Sequence, residues 1–158
     1  MSSLRDTPRA QLPPALVATV DEHTYVRRLL VLLDEQAKIL SVSRNADFHC
    51  IREVMRYMVA YPDRYHHPRE EQIFSRLHIS DERIVKLIAR LQSDHEKIAT
   101  AGSELLHRLP AETRRLRPAE RRDLARDLSS YADAMREHMQ SEEVSIFDLA
   151  LRQLSAAD

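Results

Sequence analysis

A single glycine in 158 residues is the strongest constraint this chain places on its fold. Sheet proteins rely on glycine for tight turns and on β-branched or aromatic residues along their strands. Here there is one Gly, no Trp, three Phe and five Tyr. All-β and Rossmann-type folds are excluded on that ground. Apolar residues recur instead at steps of three and four, the period of a helix with one buried face.

Four such stripes follow one another. After a polar, flexible leader over residues 1–14, ending at Pro13-Pro14, the first helix runs to about Ser41. Its stripe is Leu16, Val20, His23, Val26, Leu30, Leu33, Ala37 and Leu40. A polar break at residues 43–47 precedes a second helix carrying Phe48, Ile51, Met55 and Met58. Pro62 and Pro68 predict a kink or short break before the pattern resumes with Ile73, Phe74 and Leu77, because proline removes a ladder hydrogen bond. Ser80 is expected to cap a third helix with Ile84, Leu87, Ile88, Leu91, His95, Ile98, Gly102, Leu105 and Leu109 on its stripe. The fourth starts near Pro118, a favoured first-turn residue. Its stripe is Leu124, Leu128, Tyr131, Met135, His138, Glu142, Ser145/Ile146 and Leu149. Joined by short loops, these predict an all-α, up-down-up-down four-helix bundle over 15–158.

Composition narrows the function. The 24 Lys+Arg nearly balance 25 Asp+Glu, which argues against a nucleic-acid binder with its usual basic surplus. No apolar run approaches the roughly 20 residues of a membrane span. The polar N-terminus has no apolar core of a signal peptide, and the lone Cys50 cannot form an intrachain disulfide. A cytoplasmic location is expected.

Eight histidines are the compositional anomaly. His23, His95 and His138 fall on apolar stripes, and one turn after His138 comes Glu142, also on the stripe. A lone buried carboxylate costs several kcal/mol unless it is paired or bound to metal. The second helix repeats the arrangement in His66-His67-Pro68-Arg69-Glu70-Glu71. Residues four apart share a helical face, so His66/Glu70 or His67/Glu71 could bind an ion. His66/Glu70 lies on the face of Ile73 and Leu77 and is preferred, with His67/Glu71 as the alternative. At about 1.5 Å rise per residue, the histidines of the first three helices lie within a turn of one level. His138 is left about 9 Å off, to be absorbed by the Arg-rich third loop. Four imidazoles and two carboxylates suit first-row metals, not calcium or magnesium. Six ligands with two potential bridges fit two ions, iron being usual in bundles, with zinc or manganese also compatible.

These residues resemble those of the hemerythrin-like family, also called the HHE cation-binding domain. The resemblance runs from Asp21-Glu22-His23 through 61–71 and Asp94-His95-Glu96 to His138-Met139-Gln140-Ser141-Glu142-Glu143 and Phe147. It implies a non-heme di-iron centre with an oxo or hydroxo bridge. His23, His66, His95 and His138 would be terminal ligands, and Glu70 and Glu142 would bridge. Oxygen-carrying hemerythrins have two histidines a turn apart on the third helix, where this chain has Leu91 and Ala99 beside His95. The resemblance therefore favours sensing of oxygen or iron, or reaction with nitric oxide or peroxide, over reversible oxygen carriage. Enzymatic peroxide or nitric oxide reduction and ferroxidase chemistry form the second class of reading. A metal-independent phosphotransfer bundle forms the third, although it needs an exposed histidine. Any sensory output is expected to pass to a protein partner.

Several further residues have two readings. His49 could add a ligand but lies off its stripe. Tyr131, two turns before His138, is a core side chain or a donor to a bound oxygen species. Tyr57, Tyr61 and Tyr65 fill the proline-bent segment or drain oxidising equivalents from the site. Arg114, Arg115, Arg117, Arg121 and Arg122 form a solvated basic cluster or an anion contact.

Overall fold

The computed structural model describes residues 12–110 and 116–154. The residues 1–11 of the expected leader, and Arg114 and Arg115 of the basic cluster, lie outside them. Four long helices form the bundle. α1 is Pro14–Val42, with Pro14 at its first position, where no partner for an N–H is needed. α2 spans 48–75 and starts at Asp47, whose side chain accepts a hydrogen bond from the Cys50 amide at 2.9 Å. α3 is Glu82–Arg108. α4 spans 118–153, again opened by a first-turn proline. Among the described residues there is no strand, and no helix is long and apolar enough to cross a membrane.

Cross-helix partners fix the up-down-up-down direction. On α1 and α4, Arg27 pairs with Glu143 and Asp34 with Arg136, so the two helices run in opposite senses. The same reversal relates α2 to α3, where His67 meets His95 and Arg52 meets Pro110. On α3 and α4, His95 meets Glu142 and Arg108 meets Asp127.

Three local expectations are corrected. The α3 cap is Asp81, not Ser80: the Asp81 carboxylate accepts from the Arg83 amide at 2.9 Å, a charged cap at the positive end of the helix dipole. Of the kink or short break expected at the prolines of α2, the break does not form. The prolines are accommodated by a π-helical segment, Pro62–His66, closed by the His67 amide donating to the Pro62 carbonyl. The wider turn lets the chain continue where a strict α ladder would lose N–H donors and meet the proline ring. On α1 it is Thr19, not Val20, that is fully buried, its hydroxyl returned to the Ala15 carbonyl at 3.0 Å.

A second π segment, Glu142–Ile146, interrupts α4 and closes with the Phe147 amide on the Glu142 carbonyl. Its extra residue turns the remainder of α4 by about 100° relative to an unbroken α-helix. The core face therefore passes to Phe147 and Ala150, both 0 % exposed, while Leu149 is only partly covered.

The core divides into two apolar clusters. The larger contains Leu30, Leu33, Leu40, Ile51, Met55, Leu128 and Met139. The smaller contains Leu16, Ile73, Phe74, Leu91, Ile146 and Phe147. Between them in every helix lie the buried or half-buried polar residues His23, His66, Glu70, His95, His138 and Glu142.

Candidate metal centre

Each helix delivers its polar residues to this belt from the same stripe that supplies its core. Glu70 and Glu142 are 0 % exposed and lie between the histidines. Glu70 Oε1 is 3.1 Å from His66 Nε2 and 3.7 Å from His23 Nε2, while its Oε2 is 3.5 Å from His95 Nε2. Glu142 Oε1 is 2.9 Å from His138 Nε2 and 3.4 Å from His95 Nε2, while its Oε2 is 3.4 Å from His23 Nε2. One nitrogen or oxygen from each member of two groups, His23/His66/Glu70/Glu142 and His95/His138/Glu142, lies within 4.8 Å of the others. A third group joins His67, Glu70 and His95.

The histidine tautomers are set by the outer partners. His23 Nδ1 lies 2.9 Å from Glu143 Oε1, and His66 Nδ1 lies 2.8 Å from Glu22 Oε2. Carboxylates only accept, so both Nδ1 atoms donate. Arg27 and Arg69 in turn hold Glu143 and Glu22. The two Nε2 atoms are left facing each other at 3.1 Å. Two imidazole lone pairs at that distance repel unless a cation, a proton or a metal ion, lies between or beside them. Carboxylate–histidine pairs that present a bare nitrogen inward are the usual support of metal-ligating histidines.

The charge balance of the metal-free site matches. Burial alone would push His23 down, but the carboxylates of Glu142, Glu143 and Glu70 hold it well above its ordinary value. His66 is also raised, Glu70 and Glu22 outweighing burial and the neighbouring His23. Burial would raise Glu142, but His138, His23 and His95 hold it well below the usual range. Glu70 is lowered against both burial and repulsion from Glu142, by His23 and His66. Buried carboxylates that stay ionised among histidines make a site ready for a cation.

The family model of the hemerythrin HHE cation binding domain matches residues 16–150. The chain belongs to that family. No curated protein and no solved structure matches the chain significantly. The hemerythrin fold and the cation-binding character of the belt thus stand together.

Whether the donors of this HHE site fit a metal is tested by the atoms left over. Both oxygens of Glu70, Glu142 Oε2 and both ring nitrogens of His138 are buried without a hydrogen bond of acceptable geometry, although several lie within 3.7 Å of an opposite partner. Such atoms share a neighbourhood without aiming at one another. A cation held among Glu70, Glu142 Oε2 and His138 Nε2 would satisfy these inward atoms, whereas unsatisfied buried polar atoms are otherwise rare.

The preferred sequence register is the one the fold brings together: His66 and Glu70 turn inward, while Glu71 is exposed. The pairing of His67 with Glu71 does not form, because adjacent helical residues point about 100° apart. His67 reaches the site by another route, stacking on His95 at 3.7 Å between ring centres and 12° between planes. Its Nδ1 faces Asp63 Oδ1 at 3.0 Å, and burial and the neighbouring His95 push it down to about 4. It is therefore a neutral imidazole, placed beside Glu70 and His95. His49 is exposed and stands apart from the belt. Tyr131 is buried with an unpartnered hydroxyl, but its ring packs on Gly102, where a Cβ would lie 3.2 Å from the ring. Arg117 caps α4 through its pairing with Glu120.

The supporting carboxylates Glu22 and Glu143 were not singled out by the sequence reading. Each directly adjoins a ligand candidate, His23 or Glu142, and that adjacency is the only signal. Each serves a histidine on a different helix, His66 or His23, which no local pattern reveals.

Proposed function

We propose that this protein holds two metal ions, most suitably iron, and uses them to bind or sense oxygen, nitric oxide or peroxide. The observation that supports this best is the pair of facing Nε2 atoms of His23 and His66, each ring backed at Nδ1 by a carboxylate. His23, His66, Glu70 and Glu142 would hold one ion. His95, His138 and Glu142 would hold the second, with Glu70 and His67 at its edge. Glu142 belongs to both groups, and Glu70 links the first group to His67 and His95, so the two carboxylates would bridge. The ions would supply redox chemistry toward a small oxygen- or nitrogen-containing ligand.

The protein's own contribution is orientation and exclusion. Glu22 and Glu143 set the tautomers of His66 and His23. Phe147 stacks on His23 at 5.5 Å and closes the smaller apolar cluster over it. His95 and His67 retain 13 % and 17 % side-chain exposure, against 0 % for His23, so a small ligand would enter on their side. Leu91 and Ala99 leave that side without a second α3 imidazole. The same open side also favours a second reading, in which peroxide or nitric oxide is turned over at the centre.

Metal analysis and an optical spectrum of protein from iron-supplied cells test the proposal. About two irons per chain with an oxo-to-iron charge-transfer band would support it. No iron, or a single zinc, would overturn it. In His138→Ala at least one iron should be lost, and unchanged stoichiometry would count against the ligand set. Turnover assays with peroxide and nitric oxide separate the binding from the enzymatic reading.

A further inference from the structure

Glu22 connects the centre to a second feature. Of the chain's five tyrosines, Tyr25, Tyr57, Tyr61 and Tyr65 form one continuous array. Tyr25 meets Tyr57 edge-on at 5.4 Å between ring centres, Tyr57 stacks on Tyr61 at 4.8 Å and 13°, and Tyr61 meets Tyr65 at 5.2 Å. The outer members, Tyr25 and Tyr65, are each 49 % exposed. At the inner end the Tyr61 hydroxyl donates to Glu22 Oε1 at 2.6 Å, and Glu22 Oε2 accepts from His66 Nδ1 at 2.8 Å. Two hydrogen bonds thus join the array to a proposed metal ligand. Packing alone would be met by phenylalanine, yet every ring of the array is a phenol, the oxidisable form.

We propose that Tyr57 and Tyr61, with Tyr25 and Tyr65 as surface terminals, form a relay that passes electrons from solvent reductants to the metal centre through Glu22 and His66. The inference rests on the metal reading above, with peroxide as the oxidant. Hydrogen peroxide takes two electrons and two protons, its O–O bond breaks, and it leaves as two waters. Two tyrosines supply the electrons, each losing one electron and its phenolic proton to become a neutral phenoxyl radical, and water supplies the two protons that peroxide takes. From Tyr61 the phenolic proton moves along the hydrogen bond to Glu22, while at the exposed tyrosines it passes to water. A thiol-class reductant in solution then returns one electron to each radical and releases its proton to water; Tyr61 recovers its proton from Glu22 and an exposed tyrosine from water, and two thiols become one disulfide.

The surroundings of Tyr61 suit this role. Its phenol is raised above the ordinary value, chiefly by the hydrogen bond to Glu22, so it rests protonated. Arg69 also donates to Glu22 Oε1, so Glu22 ties Tyr61, Arg69 and His66 into one hydrogen-bonded cluster. Tyrosine-to-phenylalanine changes retain the stacked rings and remove only the oxidisable group, so they separate a relay from a packing role.

The test uses iron-loaded full-length protein whose metal content is measured first. It is mixed with hydrogen peroxide, frozen rapidly and examined by electron paramagnetic resonance, with mass spectrometry locating oxidised side chains. Wild type should give a tyrosyl radical. Tyr61→Phe, at equal iron content, should lose most of that signal and accumulate oxidation on His23, His66, His95 or His138 instead. Should Tyr61→Phe lose iron, Tyr57→Phe, which touches neither Glu22 nor a proposed ligand, must show a reduced radical yield. Loaded wild type without a tyrosyl radical, or an undiminished signal in Tyr57→Phe, overturns the relay alone. A protein that binds no iron overturns the metal reading and the relay together.

Discussion

Protons and metal compete for the same nitrogen atoms, and this competition sets a pH dependence whose sign is dictated by the site. In the metal-free protein His23 is held well above its ordinary value of 6.5, and Glu142 well below its ordinary value of 4.5. A raised histidine contributes stability that is fully present below its unfolded value and is lost as pH rises through its folded one. A depressed carboxylate contributes stability present above its unfolded value and lost as pH falls through its folded one. Both contributions are complete between pH 4.5 and 6.5, where the metal-free protein should be most stable. Metal has the opposite requirement. His23 Nδ1 already donates to Glu143, so a metal must take Nε2 and expel its proton. Displacing one proton changes the binding free energy by about 1.4 kcal/mol per pH unit while His23 is protonated in the free protein. For a domain of this size, 1 kcal/mol corresponds to about 2–4 °C in melting temperature. The gap between metal-loaded and metal-free melting temperatures should then widen by about 3–6 °C per pH unit from mildly acid conditions upward. Differential scanning calorimetry across pH measures the gap. Titration of metal in two buffers of unlike ionisation enthalpy counts the protons released. A gap that stays flat with pH, with no proton released, would refute the argument built on the facing nitrogens.

Three further outcomes are expected. Glu143→Ala frees His23 Nδ1 and should weaken metal affinity by about 10–100-fold, read by competition with a chromophoric chelator. Glu71→Ala should leave metal content unchanged because Glu71 is exposed, and a loss of metal would restore the His67/Glu71 register. Leu30→Ala, at a position 0 % exposed in the larger apolar cluster, should cost about 2–5 kcal/mol in denaturant unfolding, and a smaller effect would mean that the core closes around the gap.

Much of the architecture was legible because it is written in a local period. His23, Leu30 and Leu40 share a face of α1 for the same geometric reason, and that periodicity marked the histidine as inward-facing before any neighbour was known. The one-turn spacing of His66 to Glu70 and of His138 to Glu142 is likewise internal to a helix. The lone glycine and the first-turn prolines Pro14 and Pro118 also act within a few residues. The π segments were not legible in this way. Pro62 signals an irregularity but not whether the helix breaks or widens, and Glu142–Ile146 has no proline to signal anything.

The amino-acid sequence by itself determined four amphipathic helices and that His23, His95, His138 and Glu142 lie on their apolar stripes, because the 3.6-residue period orients each side chain relative to its own helix. Only the tertiary structure decided how those helices stand against one another. It placed Glu143 behind His23, Glu22 between Tyr61 and His66, and the His67 ring on His95. Such contacts depend on the relative level and rotation of separate helices, which are set by core packing across the whole bundle and leave no local trace in the chain.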